Sequence, residues 1–410
     1  MRGGASCPFV LMMLLACSAS ASSGNAATIR FATYNASLNR GAAGALIRDL
    51  ATPGDRQAQR IAEVIQRVRP DVLLINEFDY DDAQRALQLF RTNYLGRSQS
   101  GLEPIRYRDC YSAPVNTGVP SGFDLDNDGR IAGGGDALGF GEFPGQYGMV
   151  VCSQFPIERR RARTFRQLLW RDMPGAALPP GWYTTEELAL LPLSSKSHWD
   201  LPLRVYARRT IHLLVSHPTP PSFDGAEDRN GRRNHDEIRF WADYLTPGGD
   251  GYIRDDRGRR GGIERERGVA SFMVLGDLNS DPNDGGSFEH AARQLLEHPA
   301  INAGTAPASA GAFDAARRQG GANLLHRGDP HLDTADFNDA PNGPGNLRAD
   351  YVLPSRDLAI CGSGVFWPAS DDPLFALLND DTRASSDHHL VWIDVASAGQ
   401  CSVSSVPTGQ

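Results

Sequence analysis

The chain has 410 residues, of which 40% are hydrophobic and 22% are charged, and its formal net charge is −8. These values are ordinary for a folded globular protein and allow one large domain or two average ones. The acidic balance, without any long run of Lys and Arg, argues against nucleic-acid binding through an extended basic surface, although a local patch can still hold a phosphate.

The N-terminus has the pattern of an export signal. Arg2 precedes an apolar run over residues 9–16, which is too short for a permanent transmembrane helix. Cleavage after the Ala-Ser-Ala of residues 19–21 would give a secreted or periplasmic protein. A lipobox ending at Cys17 would instead give a membrane-anchored lipoprotein, with the lipid on that cysteine. No other apolar segment approaches membrane-spanning length, so we predict no integral membrane span in the mature chain.

Hydrophobic periodicity predicts a β-α-β unit directly after the leader. Residues 28–35 alternate apolar and polar side chains, residues 61–68 repeat apolar side chains at helical spacing until Pro70, and residues 71–78 form an apolar strand. Further strands are predicted at residues 148–153, 208–216, 271–276, 348–353, 364–367 and 389–395, and further helices at residues 231–245 and 286–298.

Two long irregular insertions, at residues 95–146 and 159–199, separate these elements. No internal repeat or biased linker divides the chain. We therefore predict a leader of residues 1–26, one domain over residues 27–396, and a flexible tail of residues 397–410.

Polar residues suited to a cation or a phosphate stand where one predicted strand after another ends or begins. They are Asn35, Glu77, His217, Asp277, Asn279, Asp350, Asp387 and His388. Each one alone is as readily explained as a turn, a cap or a surface residue. Oxygen ligands for a hard cation together with imidazoles, recurring at strand ends, indicate one phosphate-cleaving site at a sheet edge.

The residue types suggest roles within that site. The Asp277 carboxylate can bind Mg²⁺ or hold an attacking water, and the Asn279 amide can bind a phosphate oxygen. The adjacent Asp387 and His388 can supply a metal ligand and a general base, with Asp350 fixing the imidazole tautomer.

Two other strand-end residues extend the site. Glu77 follows a run of apolar residues and is costly to bury without a cation, so we expect it to face the ion. His217 is expected either to stabilise charge on a phosphate oxygen or to be hydrogen-bonded within a loop.

Two further segments carry weaker patterns. Asp124, Asp126 and Asp128 alternate before Gly129 in the manner of a calcium loop, but the twelfth position is Gly135 rather than Glu. A structural Ca²⁺ and a plain Asp/Gly turn both stay open. At the start of the helix after His217, the pair Arg232 and Arg233 is either a phosphate clamp or a solvated helix terminus.

Four cysteines lie outside the leader. They are Cys110, Cys152, Cys361 and Cys401. In an exported protein an even number favours disulfides over buried free thiols, and four cysteines allow three pairings. Proximity in sequence favours the first with the second and the third with the fourth.

The segments FATYN, LLINEFD, SHPTP, VLGDLNSDP, RADYVLP and SSDHHLVW run in this order from residue 31 to residue 392. They resemble the motifs of the endonuclease/exonuclease/phosphatase superfamily, which has the deoxyribonuclease I-like fold. The resemblance implies an α/β fold, a four-layer α/β sandwich of two mixed β-sheets flanked by helices, here with long loop insertions.

The resemblance also implies roles for the site residues. Glu77 would bind Mg²⁺ or Mn²⁺ with Asn35 beside it, and Asp387 would complete the acidic cluster. Asp277 and Asn279 would position the attacking water and the phosphate. Asp350 would orient His388, and His217 would steady the phosphoryl group; the general base stays open between a histidine and an aspartate.

These features predict an exported, divalent-metal-dependent hydrolase of phosphate esters. A phosphodiesterase or nuclease is favoured, and a phosphomonoesterase is the alternative. The substrate, whether a nucleic acid or a small phosphoester, does not follow from the resemblance, because the two insertions are not general to the superfamily. A calcium-stabilised extracellular binding protein without catalysis is the other hypothesis, and the intact set of acids and histidines argues against it.

Overall fold

The computed structural model describes residues 1, 3–4, 28–205, 209–264, 270–378, 385–396 and 401. The predicted leader, with its cleavage site and Cys17, lies outside the described residues, as does the predicted tail apart from Cys401. Within the described part of the chain, no helix combines the length and hydropathy needed to cross a bilayer.

The strands alternate with short helices along the chain. The strands are β1 (Thr28–Leu38), β2 (Val72–Phe78), β3 (Asp109–Tyr111), β4 (Met149–Ser153), β5 (Arg163–Thr164), β6 (His198–Arg204), β7 (Thr210–Ser216), β8 (Phe272–Asp277), β9 (Ala335–Asp336), β10 (Asn346–Leu347), β11 (Asp350–Pro354), β12 (Ile360–Val365) and β13 (Val391–Ala396). The α-helices are α1 (Ala45–Leu50), α2 (Arg56–Val68), α3 (Arg85–Phe90), α4 (Thr185–Leu188), α5 (Arg229–Leu245), α6 (Arg293–Leu296) and α7 (Ala310–Gln319). A π-helical turn at Arg91–Leu95 extends α3, and 3₁₀ helices lie at Gly134–Asp136, Trp170–Asp172, Phe288–His290, Gly321–Leu325, Pro330–Leu332 and Pro373–Leu377.

Two mixed β-sheets form the centre of the protein. The first sheet has the order β12-β13-β1-β2-β4-β3, and the second has the order β11-β8-β7-β6-β5. Only one neighbouring pair in each sheet is parallel, β1 with β2 and β7 with β8, among the described residues. The short strands β9 and β10 form a separate ribbon.

Three hydrophobic clusters lie between four layers. Side chains of both sheets, such as Phe31, Leu74 and Leu213, pack in the middle cluster. A second cluster joins the outer face of the first sheet to α1, α2 and α3, and a third joins the outer face of the second sheet to α5. The predicted four-layer α/β sandwich is therefore confirmed.

Helix α2 shows how local sequence produces one outer layer. Its N-cap Asp55 accepts a hydrogen bond from the backbone N–H of Ala58 at 2.8 Å, which satisfies a donor that the first helical turn leaves unpaired. Ile61 and Ile65 are fully buried on the face toward the first sheet. Arg69 ends the helix with a φ of 51°, and Pro70 follows.

Most predicted elements are present with shifted ends. Strand β1 continues three residues beyond Asn35 to Leu38, and β4, β8 and β11 lie within one or two residues of their predicted bounds. The first residue of the strand predicted at residues 208–216 lies outside the described residues, and β7 covers most of the remainder.

The prediction of a helix over residues 286–298 is wrong. Glu289 and His290 have positive φ values of 47° and 53°, and only a 3₁₀ turn and the short α6 form there. The hydroxyls of Ser280 and Ser287 accept the backbone N–H groups of Ala292 and Ala291. Side-chain acceptors thus replace the carbonyl acceptors that a continuous helix would use.

The short strands β3, β5, β9 and β10 were not predicted, and among the longer strands β6 was missed and β12 was misplaced. Strand β6 begins in the last two residues of the region predicted as irregular and continues beyond it, and its Pro202 hides the strand pattern. Pro202 is tolerated because β5 pairs only with Trp199 and Asp200 of that strand. Strand β12 begins at Ile360, four residues before the predicted start. Its glycines hide the strand pattern, and Gly364 lies against Trp392, whose ring would be 3.0 Å from an added Cβ.

Candidate functional site

Side chains two residues apart along a β-strand lie on the same face of the sheet, and this alternation places several predicted site residues between the two sheets. Leu275 of β8 and Val215 of β7 face the middle cluster between the sheets. Asp277 and His217 follow them by two residues and are almost fully buried, so they continue the same face. Asp350 pairs directly with Asp277 across β11 and β8.

Close backbone packing joins β7 and β8 at this end. A Cβ on Gly276 would lie 2.1 Å from the carbonyl oxygen of Ser216. Only glycine permits this approach. The residues that follow these two, His217 and Asp277, come within 3.3 Å of each other as a result.

Asp277 is the hub of the site. Its Oδ2 accepts a hydrogen bond from Asn35 Nδ2 at 3.0 Å and lies 3.3 Å from His217 Nε2 and 3.6 Å from His388 Nε2. Its Oδ1 accepts the backbone N–H of Asn279 at 2.8 Å. Burial acts to raise the pKa of Asp277, but the neighbouring histidines and Asn35 outweigh it and lower that pKa below its ordinary range.

Asp350 and His388 form a buried pair. His388 Nδ1 lies 2.8 Å from Asp350 Oδ2, which also accepts the hydroxyl of Thr334 at 2.8 Å. Burial raises the pKa of Asp350. Burial opposes the charged form of His388, yet the carboxylates of Asp350 and Asp277 prevail and raise the pKa of His388 well above its ordinary value. The geometry favours an imidazolium held between two acids.

Glu77 is held at the edge of the site by amides. Its Oε1 accepts Asn35 Nδ2 at 3.1 Å and its Oε2 accepts Asn39 Nδ2 at 2.8 Å. Its φ of 58° places it in the left-handed region, as does the φ of 51° at Asn279 and of 47° at Ser37. Non-glycine residues pay for this conformation, and such positions concentrate at functional sites.

The donor set fits a hard divalent cation. Glu77 and Asp387 are half-buried and line the same cavity. Asp387 Oδ1 accepts the hydroxyl of Ser37 at 3.1 Å, while its Oδ2 has no hydrogen bond to another described residue. Deeper in the site, ligand atoms of Asp277, Asp350 and His388 lie within 4.8 Å of one another. Carboxylate oxygens of this kind suit Mg²⁺ or Mn²⁺.

His217 and Asn279 complete the cluster on the other side. Asn279 Nδ2 donates to the carbonyl of Pro218 at 3.1 Å, and the buried His217 Nδ1 has no partner among the described residues. Burial, followed by the nearby Lys196 ammonium, lowers the pKa of His217. Lys196 is itself buried and donates to the same Pro218 carbonyl at 3.4 Å.

The structure thus brings together all eight predicted strand-end residues, and it adds residues that sequence reasoning missed. The missed contacts are Ser37, Asn39, Asn76, Lys196 and Thr334. Asn39 offered a signal, since it follows Asn35 by four residues within one polar strand end. Thr334 offered none, because it approaches Asp350 from a loop beside β9.

The two arginines do not join this cluster. Arg233 is buried and donates to the backbone carbonyls of Leu193, Leu138 and Pro192, so its guanidinium holds loops together. Arg232 lies with its guanidinium 4.7 Å from the ring centre of Phe288. Neither arginine lines the cavity beside the site, so these contacts give no support to a phosphate clamp, and that role stays a prediction.

The predicted calcium loop lies apart from this cavity. The carboxylates of Asp124, Asp126 and Asp128 come within 4.8 Å of one another. Asp136 closes the loop by accepting the backbone N–H groups of Leu125 and Ala132 at 2.7 Å each. The arrangement suits either an ion or a self-sufficient turn, so the calcium site stays a prediction.

Both favoured disulfides are present. Cys110 of β3 is bonded to Cys152 of β4, and Cys361 of β12 is bonded to Cys401. The first bond joins residues that are register partners in the sheet. Two disulfides fit an oxidising compartment.

A large open cavity lies against the site. Glu77, Asn279, Asp387 and His388 line it, whereas the other four strand-end residues are buried behind them. The volume of the cavity is about 1480 Å³, and it extends from Glu77, Asn279 and His388 to Trp367 and Phe375. This is far more space than one phosphate group fills, so the organic part of a ligand fits beside the acids and imidazoles.

A family model described as Endonuclease/Exonuclease/phosphatase family matches residues 32–388. No curated protein matches the chain. Among solved structures, an endonuclease/exonuclease/phosphatase from Beutenbergia cavernae DSM 12333 is 17% identical, with a TM-score of 0.48 over 90% of this chain and 71% of that chain. The human nocturnin catalytic domain is 16% identical, with a TM-score of 0.44 over 90% and 94%. Sphingomyelinase C from Streptomyces griseocarneus is 14% identical, with a TM-score of 0.43 over 90% and 99%. Similarities this low carry no information on substrate.

Proposed function

Because the chain belongs to the Endonuclease/Exonuclease/phosphatase family, whose members are metal-dependent hydrolases of phosphate esters, we propose that it is an exported phosphodiesterase, with a nucleic acid or a small phosphodiester as substrate. The observation that carries the proposal is the meeting of Asn35, His217 and His388 at one oxygen of Asp277, directly behind a cavity that His388, Glu77 and Asp387 line.

Glu77 and Asp387 would hold the cation. Their carboxylates face the cavity, and the amides of Asn35 and Asn39 fix the position of the glutamate. When bound there, Mg²⁺ or Mn²⁺ supplies Lewis acidity and lowers the pKa of water. Asp350 and Asp277, by contrast, have imidazole partners and serve the proton chemistry.

The remaining residues act on the water and on the phosphoryl oxygens. Asp277 accepts a hydrogen bond from the attacking water and takes its proton as the water oxygen bonds to phosphorus and the bond to the leaving oxygen breaks. His388, held by Asp350, stabilises the negative charge that develops on the phosphoryl group. Asn279 and His217 donate hydrogen bonds to the same oxygens. Because two carboxylates hold His388 as an imidazolium that cannot accept a proton, Asp277 is left as the proton acceptor, although its partners lower its pKa.

Two observations support the preference for a diester and the export of the protein. The cavity volume of about 1480 Å³ leaves room for organic groups beside the phosphate, and a diester with two such groups uses that room more fully than a monoester with one. The two disulfides support export, because such bonds persist in oxidising compartments.

Hydrolysis of three substrates by the purified protein tests the proposal. Bis(p-nitrophenyl) phosphate, p-nitrophenyl phosphate and plasmid DNA are assayed with Mg²⁺, with Mn²⁺ and with a chelator. We expect metal-dependent hydrolysis with a diester rate above the monoester rate, and a loss of about 10²–10⁴-fold in Asp277→Ala and His388→Ala.

The outcomes separate the alternatives. A higher rate on the monoester would make the protein a phosphomonoesterase of the same fold. Absence of turnover on all three substrates with either metal, or turnover that a chelator leaves unchanged, would refute the proposal and favour a binding protein.

A further inference from the structure

One residue that lines the cavity has polar atoms without partners. His389 is 3% exposed, and neither of its ring nitrogens has a hydrogen-bond partner among the described residues. Its ring lies against Trp367, with 3.7 Å between the ring centres. Unpaired polar atoms at this depth cost stability and call for a compensating role.

Other buried histidines of the chain show what a purely structural histidine looks like here. Both ring nitrogens of His198 are occupied, one by the Ser194 hydroxyl at 2.5 Å and the other by the Glu237 carbonyl at 2.8 Å. His212 is paired with Asp200 at 2.6 Å. His389 departs from this pattern, because no described residue offers a hydrogen-bond partner to either of its ring nitrogens.

The position of His389 points to a ligand. His389 and Trp367 line the same cavity as Glu77, Asn279 and His388, so an organic group attached to a phosphate in the site extends toward them. An imidazole presents at least one N–H donor in every protonation state. A hydroxyl group can match that ring as acceptor or as donor.

The charges along the cavity wall further restrict the class of ligand that fits. Among the described residues that line the cavity, Arg318 is the only Arg or Lys, and its guanidinium is engaged with Asp314 at 3.0 Å. Asp336 and Asp339 lie along the same wall. A polynucleotide needs several cations along its backbone, whereas a neutral polyhydroxylated group meets carboxylate and amide acceptors here.

We propose that His389, packed against Trp367, forms a subsite that hydrogen-bonds a hydroxyl group of the substrate. The substrate is then a phosphate ester of a polyhydroxylated alcohol, either a sugar or an acyclic polyol, and not a polynucleotide. The subsite rests on the proposed function, because it selects the organic group of the ester that the site would cleave.

Two matched substrates test the subsite. The p-nitrophenyl phosphodiesters of hexan-1-ol and of sorbitol have the same leaving group and carbon chain and differ in their hydroxyl groups. We expect the wild-type protein with Mn²⁺ to have a kcat/KM about tenfold or more higher on the sorbitol diester, because a site with unpaired polar atoms rejects an analogue that cannot fill them. His389→Leu should reduce the ratio of the two kcat/KM values to about one.

A second buried histidine supplies the control. His198→Leu removes a ring whose nitrogens are both satisfied, so it should lower the Tm and leave the substrate ratio unchanged. His389→Leu should not lower the Tm, because it removes polar atoms that have no partners. A purely structural role for His389 predicts no change in the ratio in either variant.

Each outcome has one meaning. Hydrolysis of both diesters by the wild-type protein at similar kcat/KM would overturn the subsite and leave the proposed function intact. If neither diester is hydrolysed, the three-substrate assay alone decides the proposed function, and calorimetric titration of Asp277→Ala with sorbitol 6-phosphate and hexyl phosphate decides the subsite. Preferential binding of the sorbitol ester that His389→Leu abolishes would support the subsite, and equal binding would overturn it.

Discussion

At the scale of single residues, the site depends on carboxylates that differ in their surroundings. Asp277 has imidazole and amide partners that stabilise its charged form, while Asp350 is buried beside it and shares a proton with His388. Adjacent acids with opposite pKa shifts are a means of placing a base and a charged imidazole in one site. The division between Asp277 and Asp350 is therefore testable residue by residue.

Replacing Asp350 by Asn should lower kcat while changing KM little. The amide keeps the shape of the carboxylate but removes the anion that stabilises the His388 imidazolium at 2.8 Å. We expect a loss of about 10²–10⁴-fold in kcat on bis(p-nitrophenyl) phosphate. Steady-state kinetics at saturating Mn²⁺ measures it.

The control is a second buried pair of the same kind. Asp200 holds His212 at 2.6 Å and accepts the hydroxyl of Tyr244, and none of these three residues belongs to the strand-end cluster. Asp200→Asn should lower the Tm and leave kcat near the wild-type value. Equal losses of kcat in the two variants would mean that Asp350 acts through stability alone.

The burial of the Asp333 carboxyl group predicts that the stability of the protein depends on pH, separately from catalysis. Asp333 is 7% exposed, and burial, with Asp281, Asp284 and Asp329 nearby, raises its pKa from 3.8 to about 8. The folded state binds this proton more tightly than the unfolded chain. The contribution of Asp333 to stability is thus fully present below the unfolded pKa and is lost as the pH rises toward the folded pKa, by up to about 1.4 kcal/mol per pH unit.

Asp333→Asn removes the ionisation. Its Tm should exceed that of the wild type at pH 8, by about 2 °C or more, and the difference should shrink as the pH falls to 5. Thermal unfolding at the two pH values measures the effect. A difference that is the same at both pH values would show that Asp333 is not protonated in the folded protein.

Much of the site could be predicted from the sequence, and the residues that could not be predicted were missed for a physical reason. Asp277, His217 and Asp350 follow or precede core residues of recognisable strands by two positions, so their common face follows from strand periodicity. Thr334 and Lys196 lie in segments without such periodicity and reach the site only through tertiary packing. Arg233 had the right chemistry for phosphate, but its donors are used by backbone carbonyls.

At the scale of elements, the site depends on how closely β7 and β8 approach. Gly276 lies where an added Cβ would be 2.1 Å from the Ser216 carbonyl oxygen, and that oxygen belongs to backbone that cannot rotate away. The contact sets the spacing between His217 and Asp277, which is 3.3 Å. The glycine before the aspartate is therefore part of the architecture of the site.

Gly276→Ala should separate these strands. We expect a loss of roughly 1–3 kcal/mol in the free energy of unfolding, together with a lower kcat. Gly251→Ala is the matched control, because an added Cβ there meets nothing within 4 Å, and it should change stability by less than about 1 kcal/mol. Denaturant unfolding of both variants measures the difference, and similar stabilities would argue against the close approach.

Elements with regular patterns were predicted well, and those that depend on their neighbours were not. Strands β2 and β8 are continuous apolar runs, and α2 has a cap, an apolar face and a terminating proline. Strand β6 contains a proline, and β12 contains glycines that accommodate Trp392. The supposed helix after Gly286 is broken because serine hydroxyls capture its backbone donors. The hydrophobic periodicity of the sequence does not show that serine hydroxyls replace helix carbonyls as acceptors there.

At the scale of the whole molecule, distant segments supply one centre on one side of a two-sheet sandwich. Asn35 of β1 and Asp277 of β8 belong to different sheets and are joined by a hydrogen bond of 3.0 Å, so the site forms only when the sheets stack. The long insertions add β5 and α4 and pack Trp170 into the third cluster. Their contribution to the substrate could not be predicted, because it depends on which surfaces the loops cover.

Anomalous X-ray scattering from crystals grown with Mn²⁺ would locate the cation that Glu77 and Asp387 are proposed to hold. We predict a peak in the large cavity beside the carboxylates of Glu77 and Asp387, which Glu77→Gln abolishes or weakens strongly. A cavity without any peak at saturating Mn²⁺, with scattering found only at the Asp124 loop or nowhere, would contradict this prediction.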